Sequence, residues 1–240
     1  MVRTKDPFWK KKKDTEGIIW KQNAYKGERC FLIGTGSSLL FERDLARTEP
    51  EFTMTCNGLF KWDGMPFQPR VHTMIDHPAF PLWQDDIESL DTFRVAGLRQ
   101  GWPTDTPKWQ RVLQRRDKAL ADGNWGGYDE EFTWCAGRAN VMWTLLAQLA
   151  YWWGFSPVYV LGMDGGADHA PLIHCYEVQD HLLGKLDRTP SAVTGRTELS
   201  TRRAIPVVRR IYEENGREII NLNPNSFTKG LPVSTLADVL

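Results

Sequence analysis

The sequence predicts a single α/β domain: a Rossmann-like, mostly parallel sheet with helices on both faces, interrupted by irregular, lid-like insertions. Three observations carry this reading. Short apolar runs rich in β-favouring residues alternate with segments of helical spacing. The first run, Arg29 to Ile33, closes on the turn Gly34-Thr35-Gly36-Ser37-Ser38. A later run, Pro157 to Leu161, is as apolar as a strand buried on both faces and ends at Gly162-Met163-Asp164.

Residues 1 to 26 are polar, with Lys10-Lys11-Lys12-Lys13 lying between Trp9 and Trp20, and read as a solvated arm before a catalytic domain over 27–240. After the glycine turn, Leu39, Leu40 and Leu45 suggest a helix from Ser38 to Arg47. Strands follow at Phe52 to Cys56, Arg70 to Ile75 and Thr92 to Ala96. The stretch from about 97 to 135 is rich in Trp, Pro, Gly and charge and reads as a lid, with one helix near Pro107 to Leu120. A long buried helix is expected from Ala139 to Trp153, ended by Gly154. Residues 167 to 197 form a second lid-like region. A helix from Leu199 to Asn215 then runs past Pro206, a strand covers Glu218 to Leu222, and a short helix opened by Ser234 ends the chain.

Composition narrows the function classes. Thirty Lys and Arg balance thirty Asp and Glu, so no overall field draws the chain to nucleic acid or anionic lipid, although a local basic patch stays open. No apolar run reaches the length of a membrane span, and the basic start lacks the apolar core of a secretory signal. The four cysteines are far apart and form no CxxC pair, as expected of a reduced, cytoplasmic protein. Eleven tryptophans are read mainly as core, with a cleft that stacks on a base or sugar as the other reading.

In open parallel sheets ligands sit beyond the carboxyl ends of the strands, which selects five segments: Gly34 to Ser38, Cys56 to Gly58, Asp76 to Pro78, Asp164 to Gly166 and Asn223 to Ser226. Gly34, Thr35, Gly36, Ser37 and Ser38 suit a phosphate: glycine lets the backbone approach closely, and a following helix offers free N–H groups. The pattern is neither a P-loop nor GxGxxG, since Leu39 takes the place of the third glycine. Asn57 can read a base or ribose edge, or simply turn the chain with Gly58. Asp76 beside His77 fits acid–base or metal chemistry, or a cap before Pro78. Ala136, Gly137 and Arg138 open the expected long helix and suit a phosphate, or tight packing. Asp164 with His169 and His174 is the candidate catalytic cluster, because a carboxylate at an apolar strand tip is costly to bury without a partner. The histidine spacing lies on an irregular segment, and no dedicated metal site is expected. Asn225 and Ser226 close the last rim turn.

Taken in order, these pieces are similar to a known family. The stretch Gly27 to Leu39 resembles the opening of the motility-associated-factor glycosyltransferases and the MptE-like 6-hydroxymethylpterin diphosphokinases. Bacterial lipooligosaccharide sialyltransferases share a related arrangement. Asn57, Ala136-Gly137-Arg138-Ala139, Leu161-Gly162-Met163-Asp164 and Pro224-Asn225-Ser226 match later parts of the pattern. The resemblance implies a Rossmann-like fold and, on the glycosyltransferase branch, a cytidine-monophosphate (CMP) sugar donor. The chain departs from the pattern at Ser37, where proline is usual, and at Thr35, often asparagine. Gly165 and Gly166 stand where sialyltransferases have tyrosines, and Gly195 to Leu199 lacks their general-base histidine.

Three functions follow as expectations. The first is a glycosyltransferase using a nucleotide-activated sugar and an unidentified acceptor, with His174 or His169 as base. The second is a diphosphokinase using ATP and magnesium held by Asp76 and Asp164. The third is a nucleotide-binding module without catalysis. No cofactor beyond the nucleotide sugar is expected under the first, and magnesium only under the second.

Overall fold

The computed structural model describes residues 18–75, 79–98, 108–165, 174–176 and 190–240. Among them, eight strands form one sheet in which every neighbouring pair is parallel. They are β1 (Cys30–Ile33), β2 (Phe52–Cys56), β3 (Val71–Met74), β4 (Phe93–Leu98), β5 (Gln110–Ala119), β6 (Trp134–Gly137), β7 (Val158–Leu161) and β8 (Ile219–Asn221). The order across the sheet is β6-β5-β4-β3-β2-β1-β7-β8. The helices are α1 (Phe80–Ser89), a π-helix (Met142–Leu146) running into α2 (Ala147–Trp153), α3 (Pro190–Glu214) and α4 (Leu236–Val239).

Burial on both faces explains the unbroken apolar runs. Every residue of β1, β3 and β7 is buried. Cys30 and Leu32 point into the main core, with Leu149 and Trp153 of α2 and Val208 of α3. Phe31 and Ile33 point the other way, to Leu39, Leu45 and Leu236. A third cluster under α1 joins Met74, Phe80, Trp83, Ile87, Ala96 and Trp109. Each such large side chain contributes about 1.5–3 kcal/mol of transfer free energy.

The expected lid over 97–135 is not one. It holds the end of β4, all of β5 and the start of β6, so the helix expected near Pro107 to Leu120 is a ten-residue strand. The reason is exposure: Val112 and Gln114 face the core, whereas Leu113, Arg116, Asp117 and Lys118 face solvent. A half-solvated strand near a sheet edge loses its apolar signature, and its Gln, Arg and Lys read as helix formers.

The first connection also differs. In place of a helix over 38–47 there are two 3-10 turns, Ser37–Phe41 and Leu45–Thr48. Helix α3 starts at Pro190, nine residues before the expected Leu199, and continues through Pro206. The last helix is capped by Thr235, not Ser234.

The end of the expected solvated arm is packed. Ile18 and Tyr25 are buried. Trp20 meets Trp152 at 5.0 Å between ring centroids, and Tyr25 stacks on Phe155 at 5.0 Å. Trp153 Nε1 donates to the Ile19 carbonyl at 2.9 Å. Most of the described tryptophans are accordingly core residues, as the plainer reading expected.

Both sheet edges are occupied. At β6 the carboxamide of Gln148, fully buried, accepts from Ala136 N and donates to Ala136 O at 2.9 and 3.0 Å, as a neighbouring strand would. It also accepts from Gly126 N at 2.9 Å, and donates to Trp143 O and Thr144 O at 3.1 and 2.8 Å inside the π-helix. At β8, Asn221 N donates to Pro232 O and Asn221 O accepts from Ser234 N. Among the described residues no helix is long and apolar enough to cross a membrane.

Candidate functional site

The strand order reverses between β1 and β7. From β1 the chain moves outward through β2 to β6, then returns to lay β7 on the other side of β1. A crevice at such a switch point is where doubly wound sheets take ligands. Its walls are the glycine turn after β1 and the Gly162-Met163-Asp164 turn after β7.

The two turns are laced together. Gly34 N donates to Leu161 O and Gly36 N to Gly162 O, each at 2.8 Å. A Cβ on Gly36 would lie 2.5 Å from Asp164 Oδ2 and 2.7 Å from Gly162 O, and one on Gly34 would meet Gly162 O. The glycines are needed for this approach of two strand tips, whatever else binds there. Gly36→Ala is therefore expected to cost about 1–3 kcal/mol, as an overpacked core site does. A urea midpoint equal to the parent's would mean the tips can move apart freely.

Asp164 sits at the tip of β7, as expected, and its carboxylate is fully engaged. Ser38 N and Ser38 Oγ donate to it at 2.8 and 2.5 Å, and Asn223 Nδ2 at 2.9 Å. Its carbonyl accepts from Phe227 N at 2.7 Å. Ser226 is buried, its Oγ 2.8 Å from Met163 O and 2.9 Å from Asp164 O. Asn225 is exposed, its N–H turned back to Asn223 Oδ1. Buried polar groups are paired here as they must be, and Asp164 ties the glycine turn to the last rim turn.

His174 lies against the glycine turn. Its Nδ1 is 2.9 Å from Thr35 Oγ1, Gly36 and His174 form an antiparallel bridge, and Cys175 N donates to Thr35 O at 2.9 Å. Burial pushes the imidazole below its ordinary pKa, opposed by hydrogen bonding to Thr35. The ring stacks on Tyr176 at 5.1 Å between centroids, and Tyr176 lies over Gly58, where a Cβ would strike its hydroxyl. Residues 174–176 thus join the tips of β1 and β2.

Asn57 ends β2 in the left-handed region, with φ +47°. Its carbonyl is 3.0 Å from His72 Nε2, and its Oδ1 accepts from Ile75 N at 3.4 Å. Asp76 and His169 lie outside the described residues.

Ala136 and Gly137 do not open a helix. They form the edge strand β6, and the N–H of Ala136 is already held by Gln148. Arg138 is exposed with φ +62°, its Nε donating to Arg116 O at 2.7 Å. The apolar run that suggested a helix from residue 139 begins two residues later, because Asn140 caps it: Asn140 Oδ1 accepts from Trp143 N at 3.3 Å. Asn140 is also the residue of this stretch that reaches the switch point, its Nδ2 lying 3.4 Å from Met163 Sδ.

Asn140 and Tyr176 thus join the site without having been selected from sequence, while Asn223, part of the last rim segment, supplies a contact that was expected of Asn225 and Ser226. An asparagine just before an apolar helical run was the available signal for Asn140. Of the cysteines, all buried and none in a disulfide, Cys56 and Cys175 have thiols pushed up to about 12 by burial, so neither supplies a thiolate. A cavity of about 230 Å³ lies elsewhere, beneath the β2–β3 connection, lined by Leu59, Phe60, Trp62, Met65 and Phe67 over His72.

No family model matches this sequence, and no curated protein matches it. Solved structures do. The chain is 12% identical to the sialyltransferase CstII from Campylobacter jejuni in complex with CMP-3FNeuAc, with a TM-score of 0.60 over 87% of this chain and 86% of that one. CstII in complex with a trisaccharide acceptor and CMP aligns at 14% identity and a TM-score of 0.53, over 85% of this chain and 86% of that one. The MAf glycosyltransferase from Magnetospirillum magneticum AMB-1 aligns at 11% identity and 0.54, over 91% of this chain and 35% of the larger protein. At these identities the likeness is one of fold, and the fold is Rossmann-like.

Proposed function

We propose that this chain is a glycosyltransferase that takes a nucleotide-activated sugar, with a CMP-sugar as donor, at the crevice between β1 and β7. The observation that carries the reading is His174 held against the glycine turn at the switch point, its imidazole kept neutral by burial. The fold likeness to CMP-binding sialyltransferases supports the choice of donor. In this reading the donor phosphate meets the turn at Thr35 and Ser37, because the N–H groups of Gly34, Gly36 and Ser38 are donated to Leu161, Gly162 and Asp164, and Asn57 contacts the base or ribose. Asp164 holds the turn in shape through Ser38. A proton on His174 Nδ1, shared with Thr35, leaves Nε2 to take the acceptor's hydroxyl proton as the acceptor oxygen bonds to the sugar's anomeric carbon, whose bond to the donor phosphate breaks and releases CMP. The four buried cysteines, none in a disulfide, support a reducing compartment, the cytoplasm.

The diphosphokinase alternative asks Asp76 and Asp164 to share magnesium. Asp164 already receives three protein donors, and no observation favours that reading over the first.

The deciding experiment is a thermal-shift series with CMP, CMP-sugars, uridine diphosphate and ATP, each with and without magnesium. A ligand at 100 times its Kd stabilises by about 2.7 kcal/mol, and cytidine nucleotides are expected to give the largest rise. A rise with ATP and magnesium alone would replace this reading with the diphosphokinase. Turnover of His174→Ala is expected to fall by about 10²-fold with little change in donor affinity. Because the folded pKa is lowered, the base stays deprotonated below ~6.5 and the acidic limb of the rate profile lies under that value. Full turnover in the variant would move the base elsewhere.

A further inference from the structure

Polar side chains are unusual inside a parallel sheet, yet β2 and β3 bury Thr53, Thr55, His72 and Thr73 together. Two of them form a chain that ends at the candidate site. His72 Nε2 lies 3.0 Å from the Asn57 carbonyl, which can only accept, so Nε2 carries the ring proton. Nδ1 is then the acceptor, and Thr55 Oγ1 donates to it at 2.8 Å. The ring packs edge-on to Phe60. The nearby charge, Arg94 of β4, is turned to the carbonyls of Ile87, Glu88 and Leu90 at the end of α1.

The carbonyl that His72 holds belongs to a non-glycine residue at positive φ, a conformation that persists only where its surroundings enforce it. The second acceptor of Asn57, Oδ1, is taken by Ile75 N. With both acceptors drawn inward, what Asn57 can offer a ligand is its Nδ2 donor.

We infer that His72 is a positioning residue: through the chain Thr55–His72–Asn57 it fixes the left-handed turn that makes Asn57 a donor-only contact. That contact selects ligand groups that accept, such as a base carbonyl, a ring nitrogen or a ribose oxygen. The inference rests on the proposed nucleotide site and names what that site reads. Phenylalanine at 72 would fill the ring's volume but leave Asn57 O and Thr55 Oγ1 without their partner. Glutamine can still donate an amide N–H to Asn57 O.

The test combines calorimetric titration of CMP with the Asn57 HN–Hα coupling constant, measured by NMR on the full chain. His72→Phe is expected to weaken CMP binding at least tenfold and to shift the coupling, while His72→Gln recovers most of both. If His72→Phe does not fold, Thr55→Val removes the first link alone and is expected to weaken binding about threefold. A histidine that merely supports the fold would lower the melting temperature in these variants and leave the CMP Kd at 25 °C unchanged. That result overturns the inference. Should the parent bind no CMP, the functional reading falls, and the coupling still decides: an unshifted Asn57 in His72→Phe refutes the positioning role.

Discussion

Replacing Gln148 by Leu is expected to lower stability by about 3–9 kcal/mol, a range that reaches the whole stability of an ordinary domain. The two side chains are close in volume, so the loss comes from hydrogen bonds. One carboxamide serves Gly126 N and Ala136 N on its oxygen, and shares its two hydrogens among Ala136 O, Trp143 O and Thr144 O. The last two carbonyls lie in the π-helix, where the usual helical pairing is displaced. A leucine would leave Gly126 N and both polar groups of Ala136 buried and unpaired, at about 1–3 kcal/mol each. Urea unfolding of the variant measures this. A loss below about 1 kcal/mol would show that water or a shifted backbone can replace the amide.

Acidification gives the second large effect. His72 has a folded pKa lowered to about 4 by burial, against an ordinary value of 6.5, and Arg94 adds to the lowering. Between those values the unfolded chain binds a proton that the folded chain refuses. Stability therefore falls as pH drops from 6.5 to 4, by about 3 kcal/mol in all, and is lost in full below the folded value. At neutral pH the group costs nothing by this route. His174, also lowered, adds in the same direction. Carboxylates contribute to any acid transition, so the informative quantity is the difference between the parent and His72→Gln. That difference should narrow steadily from pH 6.5 to 4, and parallel curves would mean that the ring at 72 takes up protons in the folded state.

The parts of this fold that could be read from sequence are those buried on two faces. β1 and β7 are four-residue apolar runs because each has a strand on either side and helices or turns on both faces. β5 escaped because charged residues interrupt it, its outward face meeting water. The glycine turn and Asp164 could be placed at strand tips from sequence, since both follow apolar runs directly. Their physical reasons differ from the sequence expectation. Gly36 is small because Asp164 stands where a side chain would go, and the carboxylate is satisfied by Ser38 and Asn223. Contacts between turns 126 residues apart in the chain leave no local signature. For the same reason, His174 was visible only as a histidine in an irregular segment, while its pairing with Thr35 depends on the sheet order.

An open sheet ordinarily exposes two rows of unpaired peptide groups, each a template on which another chain can extend it. This one presents neither in full. At one margin a glutamine side chain imitates the missing strand at Ala136, and at the other the backbone of Pro232 and Ser234 occupies Asn221. Copies of the chain that associate are then expected to meet through helices or loops rather than by continuing the sheet at Ala136 or Asn221. Variants that free Ala136 would lose solubility faster than their loss of stability alone accounts for.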